Sequence, residues 1–266
     1  MGHAVKHSTL YWTLRDTGVL IVRSLKHIFK NIDQLMSLAI QPIMFMLLFR
    51  YVFGGAINTG SLEYVNYLVP GILIQMASFG AMTTSVNVAM DLQRGIIDRL
   101  KSLPITSSAV LTGHVVADLV RNVISTIVLI LVSLLVGFRP TASVEDWLLI
   151  TGILLVFTFA MSWLSAIAGM LAKTVEATQW IGFVFVFPLT FASSAFVPTE
   201  GMPSALRFFA ENQPVTLVIN AMRSLMMGTP DTDGSTWRAL VWCAAFTAVS
   251  IPIASVMFRK HKGKVG

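Results

Sequence analysis

The chain has 266 residues, of which 55% are apolar and only 12% are charged, and its mean hydropathy is +0.74. A soluble domain carries about 25% charged residues, so this composition excludes an ordinary soluble globular protein. The length favours a single membrane domain over residues 1–266, with little left over for a second, soluble one. The lone cysteine, Cys243, cannot form an intrachain disulfide.

Residues 10–30 have the pattern of an amphipathic helix. Their apolar stripe is formed by Leu14, Gly18, Ile21, Leu25 and Ile28, while the basic residues lie mostly off it. This pattern predicts a helix that lies along the inner membrane surface. A soluble cytoplasmic helix is the alternative.

Six apolar segments follow, at residues 35–53, 67–90, 110–138, 147–172, 179–197 and 237–258. Each approaches the ~20 residues that a helix needs to cross a bilayer. The sequence therefore predicts an all-α integral membrane protein with six transmembrane helices. Small residues four apart predict close helix packing, either within the chain or between subunits. They are Ala77, Ala81, Ser85 and Ala89 in the second span, and Ser162, Ser165, Ala166 and Gly169 in the fourth.

A polar island, DLQRGIIDRLKSLP at residues 91–104, separates the second and third spans. It combines charged side chains with apolar residues at helical spacing, namely Leu92, Ile96, Ile97 and Leu100. The island predicts a short amphipathic cytoplasmic helix that docks onto a partner protein.

The distribution of Lys and Arg predicts the orientation. The side that holds both termini carries Lys6, Arg15, Arg23, Lys26, Lys30, Arg94, Arg99, Lys101, Lys173, Arg259, Lys260, Lys262 and Lys264. The other side carries Arg50, Arg139, Arg207, Arg223 and Arg238. We therefore expect a multi-pass protein of the cytoplasmic membrane with both termini in the cytoplasm. The net charge of +6 is thus a topology signal, and no nucleic acid partner is expected.

His114, Asp118 and Arg121 follow i, i+4, i+7 spacing near the inner end of the third span. They mark the span-3 entrance, where Asp118 and Arg121 can pair. Two interpretations are open: a hinge beside the docking helix, or a local ion pair that closes the helix entrance.

The fifth span is rich in phenylalanine, and Phe183, Phe187 and Phe191 are the candidates for a substrate path. Such rings also commonly face lipid or neighbouring helices. The outer segment, residues 198–235, predicts two short helices that begin at Pro203 and Pro214. We expect them to be re-entrant or interfacial helices between spans 5 and 6, and an external loop is the alternative.

No G-x-x-x-x-G-K-[ST] phosphate loop, H-E-x-x-H motif or G-x-S-x-G motif occurs in the sequence. The histidines lack metal-ligand spacing. We therefore predict that the chain is not an enzyme, that it has no catalytic residues or metal site, and that it binds no cofactor of its own.

The run from residue 91 to residue 123, DLQRGIIDRLKSLPITSSAVLTGHVVADLVRNV, resembles the signature of type-2 ABC exporter permeases, particularly the daunorubicin-resistance-like branch. Residues 51–57 and 196–226 agree with that family as well, although Asn212-Gln213-Pro214 stands where the family usually has Asn-Pro. The resemblance implies a dimer of permeases, formed by a second copy or a paralogue, and two separate ATPase subunits that use ATP and Mg²⁺. It also implies an ATPase-coupling helix that contains Asp91, Arg94, Gly95, Ile97, Asp98, Arg99, Leu100, Lys101 and Pro104.

The expected function is therefore the permease subunit of an ATP-driven exporter for a hydrophobic or amphiphilic, drug-like compound. Export of a lipid or glycan by the same machinery is an alternative. A proton-coupled drug carrier is a weaker alternative, because the centres of most spans lack titratable groups. A membrane-embedded lipid enzyme would need a nucleophile or metal cluster, which the sequence does not display.

Overall fold

The computed structural model describes residues 32–60, 62–95, 107–172, 174–231 and 234–260. Throughout these residues the regular structure is helical, without a strand, which agrees with the predicted all-α class. The predicted interfacial helix at residues 10–30 lies outside the described residues.

Eight α-helices and two short helical turns follow one another along the described chain. The first part contains α1 (Ile32–Leu48), a π-helical turn (Phe49–Phe53), α2 (Tyr64–Gln93), α3 (Ser107–Leu135) and α4 (Val144–Leu171). The second part contains α5 (Val175–Phe191), a 3₁₀ turn (Thr199–Gly201), α6 (Ser204–Asn212), α7 (Pro214–Met227) and α8 (Ser235–Lys260).

Four of these helices, α2, α3, α4 and α8, are long and apolar enough to cross a membrane. They coincide with the second, third, fourth and sixth predicted spans. The segments at 35–53 and 179–197 correspond to shorter apolar helices. The structure therefore supports a multi-pass helical membrane protein, and the count of six spans stays a prediction.

Helix α2 is the most buried of the four long helices, and α8 is the most exposed. Helix α4 approaches α2 closely, since a Cβ added to Gly169 would lie 2.3 Å from the carbonyl oxygen of Ser85. The two predicted small-residue stripes thus meet each other within one chain, with Ser85 and Ser162 both buried. Because only hydrogen occupies the Gly169 side-chain position, the two backbones can touch.

Hydrogen bonds between side chains and backbone N–H groups define where two of the helices begin. Ser143 and Asp146 form a reciprocal capping box at the start of α4. Asp231 accepts hydrogen bonds from the backbone N–H groups of Ser235 and Thr236, at 2.9 and 2.8 Å, and so caps the start of α8.

The two predicted outer helices form at the predicted prolines, because α6 follows Pro203 and α7 starts at Pro214. Gln213, which departs from the family pattern, is buried between them. Its side-chain amide, Nε2, donates to the carbonyl oxygens of Leu189 and Ala192 at 2.7 and 2.9 Å. The amide therefore binds carbonyl groups at the C-terminal end of α5 and fixes the start of α7 against that end.

Candidate functional site

A buried polar cluster joins three of the long helices and consists of Thr83 on α2, Asp118, Arg121 and Asn122 on α3, and Ser162 on α4. The side chain of Asp118 is completely buried. Arg121 Nη1 lies 3.2 Å from its Oδ1 atom, and Ser162 donates a hydrogen bond to its Oδ2 atom. Arg121 also donates to the hydroxyl of Thr83. The charge pair lies on α3, and α2 and α4 each supply a hydroxyl group that bonds to it.

The neighbours of Asp118 explain how a carboxylate is tolerated inside an apolar bundle. A buried ion pair is stable only when further hydrogen bonds satisfy the remaining lone pairs and protons. Asn122 Nδ2 lies 3.0 Å from the backbone oxygen of Asp118 and 3.3 Å from its Oδ1 atom. These bonds hold α2, α3 and α4 in fixed positions relative to one another. The pair of Asp118 and Arg121 is the one that the i, i+3 spacing predicts.

His114 does not join this cluster. Its Nε2 atom lies 3.0 Å from Oδ2 of Asp91, in the last turn of α2, and only 16% and 15% of the two side chains are exposed. The three residues of the predicted span-3 entrance therefore serve two separate contacts. The sequence could not indicate the contact to Asp91, because that residue is 23 positions away on another helix.

The structure moves the N-terminal boundary of the predicted coupling helix, because the first residues of the island belong to α2. Asp91 belongs to α2, which continues to Gln93. Arg94 is exposed, and Gly95 has a φ of +64°, a backbone conformation that ends the helix and favours glycine. The island is thus not one helix from its first residue, because a glycine C-cap interrupts it. The other predicted coupling residues, Ile97, Asp98, Arg99, Leu100, Lys101 and Pro104, lie outside the described residues.

The three predicted substrate-path phenylalanines form an aromatic ladder along α5. The ring centroids of Phe183 and Phe187 are 5.0 Å apart, and those of Phe187 and Phe191 are 4.2 Å apart. Phe196 continues the ladder at 5.0 Å, and Phe49 of the π-helical turn follows at 4.5 Å. The first two rings of the ladder are about two-fifths exposed on this chain, so part of the ladder is available for contact.

An open groove of about 650 Å³ lies between α2 and α5 beside this ladder. Its lining residues are Met82, Thr83, Val86, Asn87, Gln179, Trp180 and Phe183. Such a volume is within the range of small-molecule sites, which combine apolar walls with a few polar groups. The hydroxyl of Thr83 belongs to both the groove and the buried polar cluster, so the groove wall is bonded directly to Arg121.

Sequence reasoning missed Thr83, Asn87 and Gln179. Thr83 and Asn87 are four residues apart in an apolar helix, and this spacing places both on one face. The sequence therefore contains a signal for the first two residues. It contains none for Gln179, because the sequence does not show that α5 lies beside α2.

From the sequence, Arg223 on α7 had no role beyond its place among the basic residues of the outer side. Its guanidinium lies 3.7 Å from the ring centroid of Tyr67 and donates to the backbone oxygens of Tyr67 and Ser194. Asn220 Oδ1 accepts a further hydrogen bond at 2.8 Å. The cation therefore ties the outer helix α7 to the first turn of α2 and to the segment that follows α5.

Among the described residues, no group of three or more His, Cys, Asp and Glu side chains could hold a metal ion. Cys243 is buried in α8. The expectations that the chain lacks catalytic residues and a cofactor of its own stay predictions.

The sequence signature of ABC-2 type transporters matches residues 15–227 of this chain, which include α1 to α7. The chain belongs to the ABC-2 type transporter family. It is 30% identical over 229 residues to the daunorubicin resistance ABC transporter permease protein DrrB1 of Streptomyces coeruleorubidus, covering 85% of this chain and 80% of that protein.

Two further relatives are more distant. The probable doxorubicin resistance ABC transporter permease protein DrrC of Mycobacterium tuberculosis is 28% identical over 80% of this chain and 77% of its own length. The probable multidrug ABC transporter permease YbhR of Escherichia coli is 25% identical over 75% of this chain and 54% of its own length. The expected resemblance is thereby confirmed, and the chain is a membrane permease of the ABC-2 type.

Proposed function

We propose that this ABC-2 permease exports a hydrophobic or amphiphilic, drug-like compound and is driven by two separate ATPase subunits that use ATP and Mg²⁺. The names of the relatives support a drug as cargo. The observation that carries the proposal is the groove between α2 and α5, which combines exposed aromatic rings with the polar side chains of Thr83, Asn87 and Gln179. A flat aromatic compound with hydrogen-bonding substituents suits that combination.

The proposed topology has six spans in the cytoplasmic membrane, both termini in the cytoplasm, and a helix at residues 10–30 on the inner surface. In this arrangement α1 with its π-helical turn and α5 are the first and fifth spans. The excess of Lys and Arg on one side supports the orientation. The short helices α6 and α7 are interfacial or re-entrant, in contact with membrane lipid, and the exposed rings of Phe208 and Phe209 on α6 support that role.

The proposed active unit is a dimer of permeases, with either a second copy or a paralogue. The ladder phenylalanines Phe183 and Phe187 are exposed on a single chain, and a path between two permeases would enclose them. This assembly would give the substrate an aromatic wall from each subunit.

The proposed coupling element is the island at residues 91–104, seated in an ATPase subunit. Closure of the ATPases on ATP would push this island, and α2 and α3 would carry the movement to the groove. The buried polar cluster supports this route, because it bonds α3 to Thr83 in the groove wall.

Co-purification of the permease with its ATPase tests the proposal. Arg99→Glu reverses a charge in the island, and Gly95→Pro removes the residue that ends α2 with a positive φ. We expect both variants to lose ATPase association or permease-dependent ATP hydrolysis. Arg238→Glu, a charge reversal on the predicted outer side, is the control and should retain both. Unchanged association and hydrolysis in the two island variants would contradict the proposal.

A further inference from the structure

A polar contact joins α2 and α3, the two helices that precede and follow the coupling island. Asp91 lies in the last turn of α2, where the island begins, and His114 lies in the first turns of α3, with 3.0 Å between Oδ2 and Nε2. Both side chains are about 85% buried. A hydrogen bond or ion pair that is largely shielded from water is screened less by salt than one on the surface.

A second contact between the same two helices lies farther along them. Thr83 on α2 accepts a hydrogen bond from Arg121 on α3. Thr83 is eight residues from Asp91, which corresponds to about 12 Å along a helix. Polar contacts at two points about 12 Å apart restrain the tilt of α2 against α3 more than a contact at one point would.

We propose that Asp91 and His114 are positioning residues that keep α2 and α3 together as one rigid unit while the island is pushed. With the pair intact, the movement reaches the groove wall at Thr83. Without it, the inner ends of the two helices part and the movement is dissipated. This inference rests on the proposed function, because it assigns a role to the base of the same coupling element.

The experiment uses the complete complex of permease and ATPase in proteoliposomes, with daunorubicin as the probe. Its readout is the amount of ATP hydrolysed per daunorubicin transported, for Asp91→Asn, His114→Gln and the exchanged double variant Asp91→His/His114→Asp. We expect each single variant to raise this ratio at least about threefold, the scale on which residues along a coupling route act. The exchanged variant should bring the ratio back towards that of the wild type.

Glu176→Gln is the matched control. It makes the same kind of change from carboxylate to amide on the predicted inner side, at an exposed position in the first turn of α5. It should leave the ratio unchanged. Single variants that behave like this control would overturn the inference, and so would an exchanged variant that stays as uncoupled as the single ones.

Thermal unfolding of the permease separates this inference from the proposed function. If Asp91 and His114 depend on each other, the melting temperature of Asp91→Asn/His114→Gln should fall no further than that of the more damaging single variant. If the two single shifts add, the pair does not join the helices and the inference is wrong. A wild-type complex without ATP-dependent transport would contradict the proposed function, while the additivity of the shifts would still decide the role of the pair.

Discussion

Asp118 is a buried carboxylate that depends on hydrogen-bond partners from several helices. Its carboxylate is fully buried, and its partners come from its own helix, from α4 through Ser162 and from α2 through Thr83. The i, i+3 spacing of Asp118 and Arg121 is visible in the sequence. Ser162, however, is 44 positions away, and only the folded packing of α4 against α3 brings it to the carboxylate.

Replacing Asp118 by Ala should destabilise the permease by about 3–5 kcal/mol, because Arg121 would remain buried without its partner. Thermal unfolding in detergent measures this. Glu145→Gln, at an exposed acid in the first turn of α4, is the control and should change stability by less than about 0.5 kcal/mol. Equal effects of the two substitutions would contradict a structural role for Asp118.

Arg223 uses the shape of its guanidinium as well as its charge. It donates to two backbone oxygens and lies over the Tyr67 ring, 3.7 Å from its centroid. A lysine has one ammonium group and cannot reproduce this fork. We therefore expect Arg223→Lys to lower stability by about 2 kcal/mol, on the scale of one or two hydrogen bonds to a charged group. Arg238→Lys should have little effect, since exposed Arg238 makes one hydrogen bond, to Asn212. Equal melting temperatures for the two variants would be evidence against the role of Arg223.

At the level of the elements, the crossing of α2 and α4 depends on one missing methyl group. A Cβ at position 169 would lie 2.3 Å from the Ser85 carbonyl oxygen, whereas one at position 152 of the same helix meets nothing within 4 Å. Gly169→Ala should therefore destabilise by about 1–3 kcal/mol. Gly152→Ala should be neutral or stabilising by up to about 1 kcal/mol, because alanine favours a helix. If both variants change the melting temperature by the same amount, this account of the crossing is wrong.

The start of α8 should respond to acid. Burial alone would raise the pKa of Asp231, but hydrogen bonds from Thr236 and Ser235 outweigh it and lower the pKa to about 2. The pKa is near 4 in an unfolded chain, so the carboxylate stabilises the fold above about pH 4 and this contribution is lost towards pH 2. Since Asp231 is exposed, screening limits the contribution to about 1 kcal/mol or less.

We expect Asp231→Ala to lower the melting temperature at pH 7 and to have a smaller effect as the pH falls from about 4 towards about 2. Melting curves of the variant and the wild type across this range measure the difference. A difference that is constant with pH would mean that the hydrogen bonds at the start of α8 do not depend on the charge of Asp231.

The sequence predicted the existence and order of the helices better than their ends. The fifth apolar segment predicts a helix that continues to residue 197, but α5 ends at Phe191. Hydropathy continues beyond that point, whereas the helix does not. The amide of Gln213 binds the carbonyls of Leu189 and Ala192, and a contact over more than 20 positions has no signature in a local window.

At the scale of the whole molecule, the neighbours of each helix decide where a site can form. The aromatic residues of α5 were evident in the sequence, and the groove they border was not, because its other wall is α2. In the same way, the island was visible as a run of charges, while the Asp91–His114 contact at its base depends on α2 and α3 lying side by side. Local patterns therefore predicted the parts, and tertiary packing joined them.

The most direct measurement of the central claim is transport of daunorubicin in proteoliposomes that contain the permease with or without its ATPase. The account predicts uptake only when both proteins and ATP with Mg²⁺ are present, and no uptake driven by a proton gradient alone. Equal transport by the permease without any ATPase would contradict it.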